Sequence, residues 1–134
     1  MASGAMACES ALVFDVAGAP LYWHVPAGRS AAAIPDSRTL WAVLWAARAT
    51  LGGVAHTHPG KGAAAPSPTD VTTFAACEAA LGKRLVWVIV SDDDVAQLAW
   101  VGPEAHGYRR CGEVTLALEH IERLRQMNQE EVAT

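Results

Sequence analysis

The residues of this 134-residue sequence best suited to chemistry are His56-Thr57-His58-Pro59, followed after seven residues by Ser67-Pro68-Thr69-Asp70. Histidines one residue apart in an extended chain project to the same side, about 7 Å apart along the strand, so their ring nitrogens can converge on one ion. Ser67 reads as a helix cap and Pro68 as the first helical residue. This puts Asp70 in the first turn, where the helix dipole favours a carboxylate that can face back toward the strand end. Alone, Ser-x-x-Asp before an apolar helix is an ordinary capping pattern, and a His-x-His pair is more often surface or hydrogen-bonded histidine. Together they form a compound pattern that chance rarely supplies. Two histidines and a carboxylate with an open fourth position are the donor set of catalytic zinc, whose bound water can reach a pKa near ~7; structural zinc would want four protein ligands. The reading is one Zn2+ per chain on His56, His58 and Asp70.

The flanking elements must deliver these side chains to one place. Ser10 to Val16 and Leu21 to Val25, separated by Ala17-Gly18-Ala19-Pro20, read as a hairpin. Asp36 or Ser37 can cap a helix on which Leu40, Val43, Leu44, Ala47 and Leu51 recur at helical spacing, stopped by Gly52-Gly53. Val54 to His58 reads as a buried strand with its polar residues at the end, then the loop Pro59 to Pro66. A second helix runs from Ser67-Pro68 through Val71, Phe74, Ala75 and Leu81 to Gly82. Arg84 to Val90 is apolar like a central strand, and Asp92-Asp93-Asp94 turns it into a partner, Val95 to Val101. Val114, Leu118, Ile121 and Leu124 mark a terminal amphipathic helix. Interspersed strands and helices predict an α/β fold, a mixed sheet flanked by helices. The expectation is one domain over residues 6–134, with Met1 to Ala5 an added leader ahead of a natural start at Met6.

The His-x-His-Pro loop followed by Ser-x-x-Asp resembles the core of the JAMM/MPN+ (Mov34/JAB1-type) zinc metalloproteases, and the resemblance runs from Glu9 to about Val101. It implies a single MPN domain, a curved mixed sheet of the cytidine-deaminase-like kind. In that family a distant upstream glutamate at a strand start holds and deprotonates the water on the metal. Glu9 is the sole glutamate before His56, lies 47 residues ahead of it and directly precedes the first strand, so the resemblance implies Glu9 as general base. It likewise implies Ser67 as a donor to the developing oxyanion. Two departures stand out. The loop from His58 to Ser67 is one residue longer than usual, which Gly60-Lys61-Gly62 and the alanines can absorb or which shifts Ser67. The helix that usually precedes the glutamate strand is reduced to a few residues, leaving Glu9 near the chain start.

Other features narrow the class. With 10 Lys and Arg against 14 Asp and Glu, the net charge of -4 leaves no basic excess for a phosphate backbone, so nucleic acid is not expected. About half the chain is apolar, enough for a core, yet no run approaches the ~20 residues of a membrane span. Cys8, Cys77 and Cys111 are odd in number and widely spaced, which points to a reducing cytoplasm, and neither Cys8 nor Cys77 has a base arrangement for a cysteine protease. His24, His106 and His120 are isolated and read as packing or surface residues. Asp92 to Asp94 lack the spaced ligands of a calcium loop. Trp41 and Trp45, one helical turn apart, read as packing or else as an exposed docking surface.

Three functions follow from the resemblance. An isopeptidase or peptidase would cut after the C-terminus of a ubiquitin-like protein, in deconjugation or precursor processing. An inactive MPN scaffold would only bind such a protein, but scaffolds usually lose the His, Asp or Glu that are all present here. A sulfur-carrier-processing or small-amide metallohydrolase is the third. A tail-cutting enzyme needs an open groove beside a strand edge, with Pro26 to Pro35 as its flap, whereas a small-amide enzyme needs a closed pocket. The Ala-, Gly- and Val-rich composition suggests a GC-rich bacterial source, and by analogy a bacterial ubiquitin-like conjugation or sulfur-carrier setting.

Overall fold

A computed structural model of the chain describes residues 5–31, 34, 37–102 and 107–129. Asp36, His106 and part of the Pro26–Pro35 flap lie outside the described residues. The elements in order are β1 (Ala11–Asp15), β2 (Pro20–His24), α1 (Ser37–Ala46), β3 (Leu51–Thr57), α2 (Pro68–Leu81), β4 (Val86–Val90), β5 (Val95–Gly102), β6 (Gly107–Arg110) and α3 (Leu118–Met127). They build one six-stranded mixed sheet in the order β2-β1-β3-β4-β5-β6. Only β3 and β4 run parallel, because α2 carries the chain back between them; the other neighbours are antiparallel.

The period-2 alternation of the central strands divides the core into two layers. Ala11, Val13, Val54, Trp87 and Ile89 pack with Leu44 of α1 and Phe74 of α2. Leu12, Phe14, Ala55, Val88 and Val90 pack with Ile121 and Leu124 of α3. The sheet is therefore covered by α1 and α2 on one face and by α3 on the other. Among the described residues no helix is long and apolar enough to cross a membrane.

The hairpin of β1 and β2 forms as the sequence suggests, its turn tied by the Asp15 carboxylate, which accepts N–H bonds from Ala17 and Ala19 at 2.9 Å. Several elements differ from expectation, among them the central strand expected from Arg84, which begins at Val86. The helix α1 ends at Ala46, and Leu51 to Gly53 belong to β3. The two glycines are there for inter-strand contact: a Cβ on Gly52 would stand 2.3 Å from the Asp15 carbonyl oxygen, and one on Gly53 would stand 2.0 Å from that of Val86. His58 falls just past the end of β3, β6 was not anticipated, and α3 begins at Leu118, four residues after Val114. Trp41 packs against the α1/α2 core, whereas Trp45 is 47% exposed with the Arg48 guanidinium stacked 4.1 Å over its ring.

Candidate active site

The strand alternation that sorts the core also sorts the site. His56 shares a face with Val54, so its imidazole points toward α2 and stands edge-on to Phe74 at 6.0 Å between centroids. On α2, Ser67 is the N-cap, Pro68 follows it, and a complete capping box forms: the Asp70 N–H donates to Ser67 Oγ at 3.0 Å, and the Ser67 N–H donates to Asp70 Oδ2 at 2.9 Å. That box orients the Asp70 carboxylate toward the two histidines. Asp70 Oδ1 lies 3.5 Å from His56 Nε2, and Asp70 Oδ2 lies 3.1 Å from His58 Nε2. The longer loop does not pull Ser67 from its cap, because Gly60 and Gly62, at φ of 122° and 116°, absorb the extra residue.

The Asp92-Asp93-Asp94 turn has a second task that composition did not reveal. Asp93 accepts the Gly62 N–H at 2.9 Å, Asp94 accepts the Ala64 N–H at 2.8 Å, and the Gly60 carbonyl accepts the Asp92 N–H at 2.9 Å. The turn thus pins the loop that joins the two halves of the metal motif. Asp92 also accepts the Met6 N–H at 3.0 Å, reaching the segment that leads to Glu9.

Sheet register brings in that segment. Ala11 pairs with His56 across the antiparallel β1–β3 ladder, so continuing the register by two places sets Glu9 beside His58, although 47 residues separate Glu9 from His56. Glu9, His56, His58, Ser67 and Asp70 all line one cavity of about 730 Å³ between the sheet and the two helices. Its apolar wall includes Ile34, Leu40, Val54, Phe74 and Trp87. His24, expected to be a packing histidine, is buried and bonded to Tyr22 at 3.2 Å, yet it also borders this cavity. His120 stands edge-on to Trp23 and takes no part in this lining.

The geometry suits a metal ion. Two Nε2 atoms face each other at 3.0 Å, a costly approach of lone pairs unless a proton or a cation lies between them. Tetrahedral donors about 2.0–2.1 Å from zinc stand about 3.3–3.4 Å apart. The three donors of His56, His58 and Asp70 are all within 4.8 Å of one another, with closest pairs at 3.0, 3.1 and 3.5 Å. Electrostatics follow from the same contacts. Burial would raise the Asp70 carboxyl, but hydrogen bonds to His56 and His58 outweigh it and hold the group well below the usual range. His58 is raised, chiefly by its bond to Asp70. Glu9 is pushed up to about 7, first by burial, with the Asp70 charge adding and the His58 charge opposing. Ser67 Oγ spends a lone pair on the Asp70 N–H, which leaves its own proton to donate.

No curated protein compared with the chain matches it. The family model described as prokaryotic homologs of the JAB domain matches residues 2–101, a stretch that includes Glu9, both histidines, Ser67, Asp70 and the sheet as far as β5. With three quarters of its length matched and a His-His-Asp cluster able to hold a metal at the site, the chain belongs to the prokaryotic JAB-domain family.

Proposed function

We propose that the protein is a zinc-dependent isopeptidase or peptidase that cuts after the C-terminal tail of a ubiquitin-like protein. The observation that carries this reading is the convergence of a half-buried carboxyl, Glu9, on the His56, His58 and Asp70 cluster at the wall of one cavity. Zinc held by those three residues would supply a Lewis acid that polarises the scissile carbonyl and acidifies a water. Glu9 takes the proton of the water that attacks the carbonyl carbon, and returns it to the amine as the C–N bond breaks. The Ser67 hydroxyl donates to the carbonyl oxygen as negative charge develops there. A group titrating near neutrality suits both halves of that proton transfer.

The strand β2 supports a tail as substrate. Among the described strands it pairs only with β1, and His24 at its end borders the cavity, so an extended peptide adding to this edge would lead toward the metal cluster. The cavity volume also falls in the range of small-molecule sites, which keeps a small-amide substrate as the second reading. The free cysteines suit a cytoplasmic setting.

The test is to incubate the zinc-loaded protein with fusions of ubiquitin-like proteins to a reporter, and with small amides, each with and without a chelator. Chelator-sensitive release at the modifier's C-terminus is expected. A folded, zinc-loaded sample that cleaves no modifier fusion but hydrolyses a small amide selects the second reading; one that cleaves neither refutes hydrolysis.

A further inference from the structure

The residue Asn128 lies beyond the stretch that matches the family, at the C-terminal end of α3, and is completely buried. Its surroundings reach the site from the opposite face of the sheet. The Asn128 carbonyl accepts the Ala7 N–H at 2.6 Å and the Cys8 N–H at 3.3 Å, the two residues immediately before Glu9. Its side-chain Nδ2 donates to Thr57 Oγ1 at 3.1 Å and to the Leu124 carbonyl at 2.7 Å. Thr57 stands between the two histidines, and its Oγ1 also accepts the Ser10 N–H at 2.9 Å, the residue immediately after Glu9. Asn128 Oδ1 accepts from Arg29 Nη1 at 2.5 Å, while Arg29 Nη2 donates to the Met127 carbonyl at 2.8 Å. Next to Arg29, the Ser30 carbonyl accepts the Glu9 N–H at 2.8 Å.

Among the described residues, the backbone ties of Ala7, Cys8, Glu9 and Ser10 to other segments outside the β1 ladder therefore run to Asn128 itself, to Thr57, which Asn128 bonds, or to Ser30 beside its Arg29 partner. The alternation of β3 explains why one asparagine can reach both sides: His56 faces α2 and Thr57 faces α3, so holding Thr57 from behind sets the plane from which His56 and His58 project. An asparagine suits this position because it both donates and accepts; an aspartate would turn an oxygen toward the Leu124 carbonyl, and an apolar residue would leave Thr57, Arg29 and Leu124 each short of a partner.

We infer that Asn128, with Arg29 as its outer support, is a positioning residue that holds the Glu9 segment in register with the His56–His58 strand end. It touches neither the cavity nor the metal cluster, and its effect on turnover rests on the hydrolytic reading above. A misplacement of about 1 Å in a reacting group can lower a rate roughly 10²-fold, so the clamp bears on the position of Glu9 more than on substrate binding.

The test uses the full chain loaded with zinc, in the Asn128→Ala and Arg29→Gln variants, with Ile121→Val as a control that weakens α3 packing without touching the clamp. Measured are zinc content, kcat and KM on a cleavable modifier fusion, and hydrogen exchange at the amides of Cys8, Glu9 and Ser10. The expected result for Asn128→Ala is a kcat lower by roughly 10²-fold with KM and zinc nearly unchanged, and faster exchange at those three amides. Arg29→Gln should shift the same quantities less, and carries the test if Asn128→Ala does not fold. Ile121→Val should lose thermal stability while keeping kcat. Unchanged kcat and exchange in the folded clamp variants, or an equal kcat loss in Ile121→Val, overturns the proposal. If the wild type turns over no substrate, the hydrolytic reading fails on its own, and exchange at the three amides still decides whether the clamp exists.

Discussion

Two glutamates on the α1/α2 side of the sheet meet opposite fates: Trp87 donates to Glu78, and its ring lines the same cavity as Glu9. Glu78, on α2, is buried, and burial would raise it, yet it is held below the usual range by four donors: the Tyr108 hydroxyl, the Leu85 N–H, the Trp87 indole and the Arg84 guanidinium. Glu9 is half-buried, no described residue donates to its carboxylate, and it is raised to about 7. The residue type is the same and the burial of Glu78 is deeper, so desolvation alone does not set the direction; the supply of donors does. A carboxylate whose acceptors are filled is a structural part. One left short of donors beside a charge cluster is poised to exchange a proton.

The widest separation should come from substituting each by glutamine. Glu9→Gln is expected to lower turnover about 10³-fold while zinc and fold persist, since general-base contributions run to that order. Its stability effect has the opposite sign. Between its ordinary value of 4.5 and about 7 the folded Glu9 holds more protons than the unfolded chain, so the metal-free protein loses stability as pH rises through that window. Replacing it should stabilise the metal-free protein at pH 8 by about 1 kcal/mol, after allowing for partial exposure. Glu78→Gln should instead destabilise by about 3–5 kcal/mol, because an amide N–H would confront four donors and leave Arg84 unpaired. A lowered carboxyl contributes stability above its ordinary value of 4.5 and loses it as pH falls through the folded value, so this penalty should shrink in acid. Denaturant titrations at pH 5 and pH 8 check the sign for Glu9, and titrations carried on below pH 4.5 check it for Glu78; a destabilising Glu9→Gln at pH 8 breaks the contrast.

The metal cluster gives a smaller, pH-gated contrast. His58 is raised by its bond to Asp70, so protons compete with zinc at a higher pH than at an ordinary imidazole. Bound zinc should be retained at pH 8 and released only as pH falls below the raised His58 value, at a pH that drops as free zinc is raised, whereas the Glu78 network, which needs its carboxylate charged, should not depend on zinc. Metal analysis after equilibration at stepped pH, with near-ultraviolet circular dichroism for the Trp87 environment, separates the two. Simultaneous loss of both would show one unit where two are described.

Legibility in the sequence followed the range of the contacts. The convergence of His56, His58 and Asp70 was readable because its parts are local: His56 and His58 share a strand end, and Ser67 and Asp70 share one helical turn. Glu9 became readable only through the family pattern, since it reaches His58 by sheet register rather than by spacing. Gly52-Gly53 was misread as a helix stop because glycine marks a helix end and a close backbone approach alike. The strand β6 is four residues, Gly107 to Arg110, at a sheet edge with two arginines exposed, and it offers little alternation to detect. Glu78 and Asn128 carry no local signal at all. Asn128 meets Arg29 across 99 residues, and nothing in the neighbourhood of either one anticipates the other.

The smallest effect concerns Ser10, next to Glu9. Its side chain is fully buried, and its hydroxyl is the one buried side-chain polar atom among the described residues without a hydrogen-bond partner. Around Glu78 every donor finds the carboxylate, while beside Glu9 both a carboxyl and a hydroxyl go short. Burying an unpaired hydroxyl costs about 1–3 kcal/mol, and Ser10→Ala removes that demand while keeping the backbone N–H that donates to Thr57. The exchange loses one oxygen from a tight site, and the gap left offsets part of the gain. A net stabilisation of about 1 kcal/mol is expected, raising Tm by about 3–5 °C for a chain of this size, with turnover unchanged. Thermal unfolding and the reporter assay measure the two together. A Ser10→Ala variant that is less stable, or that keeps its fold and loses turnover, would mean that the hydroxyl has a partner in the protein in solution, and the unmet polar demand beside the site would reduce to the Glu9 carboxyl alone.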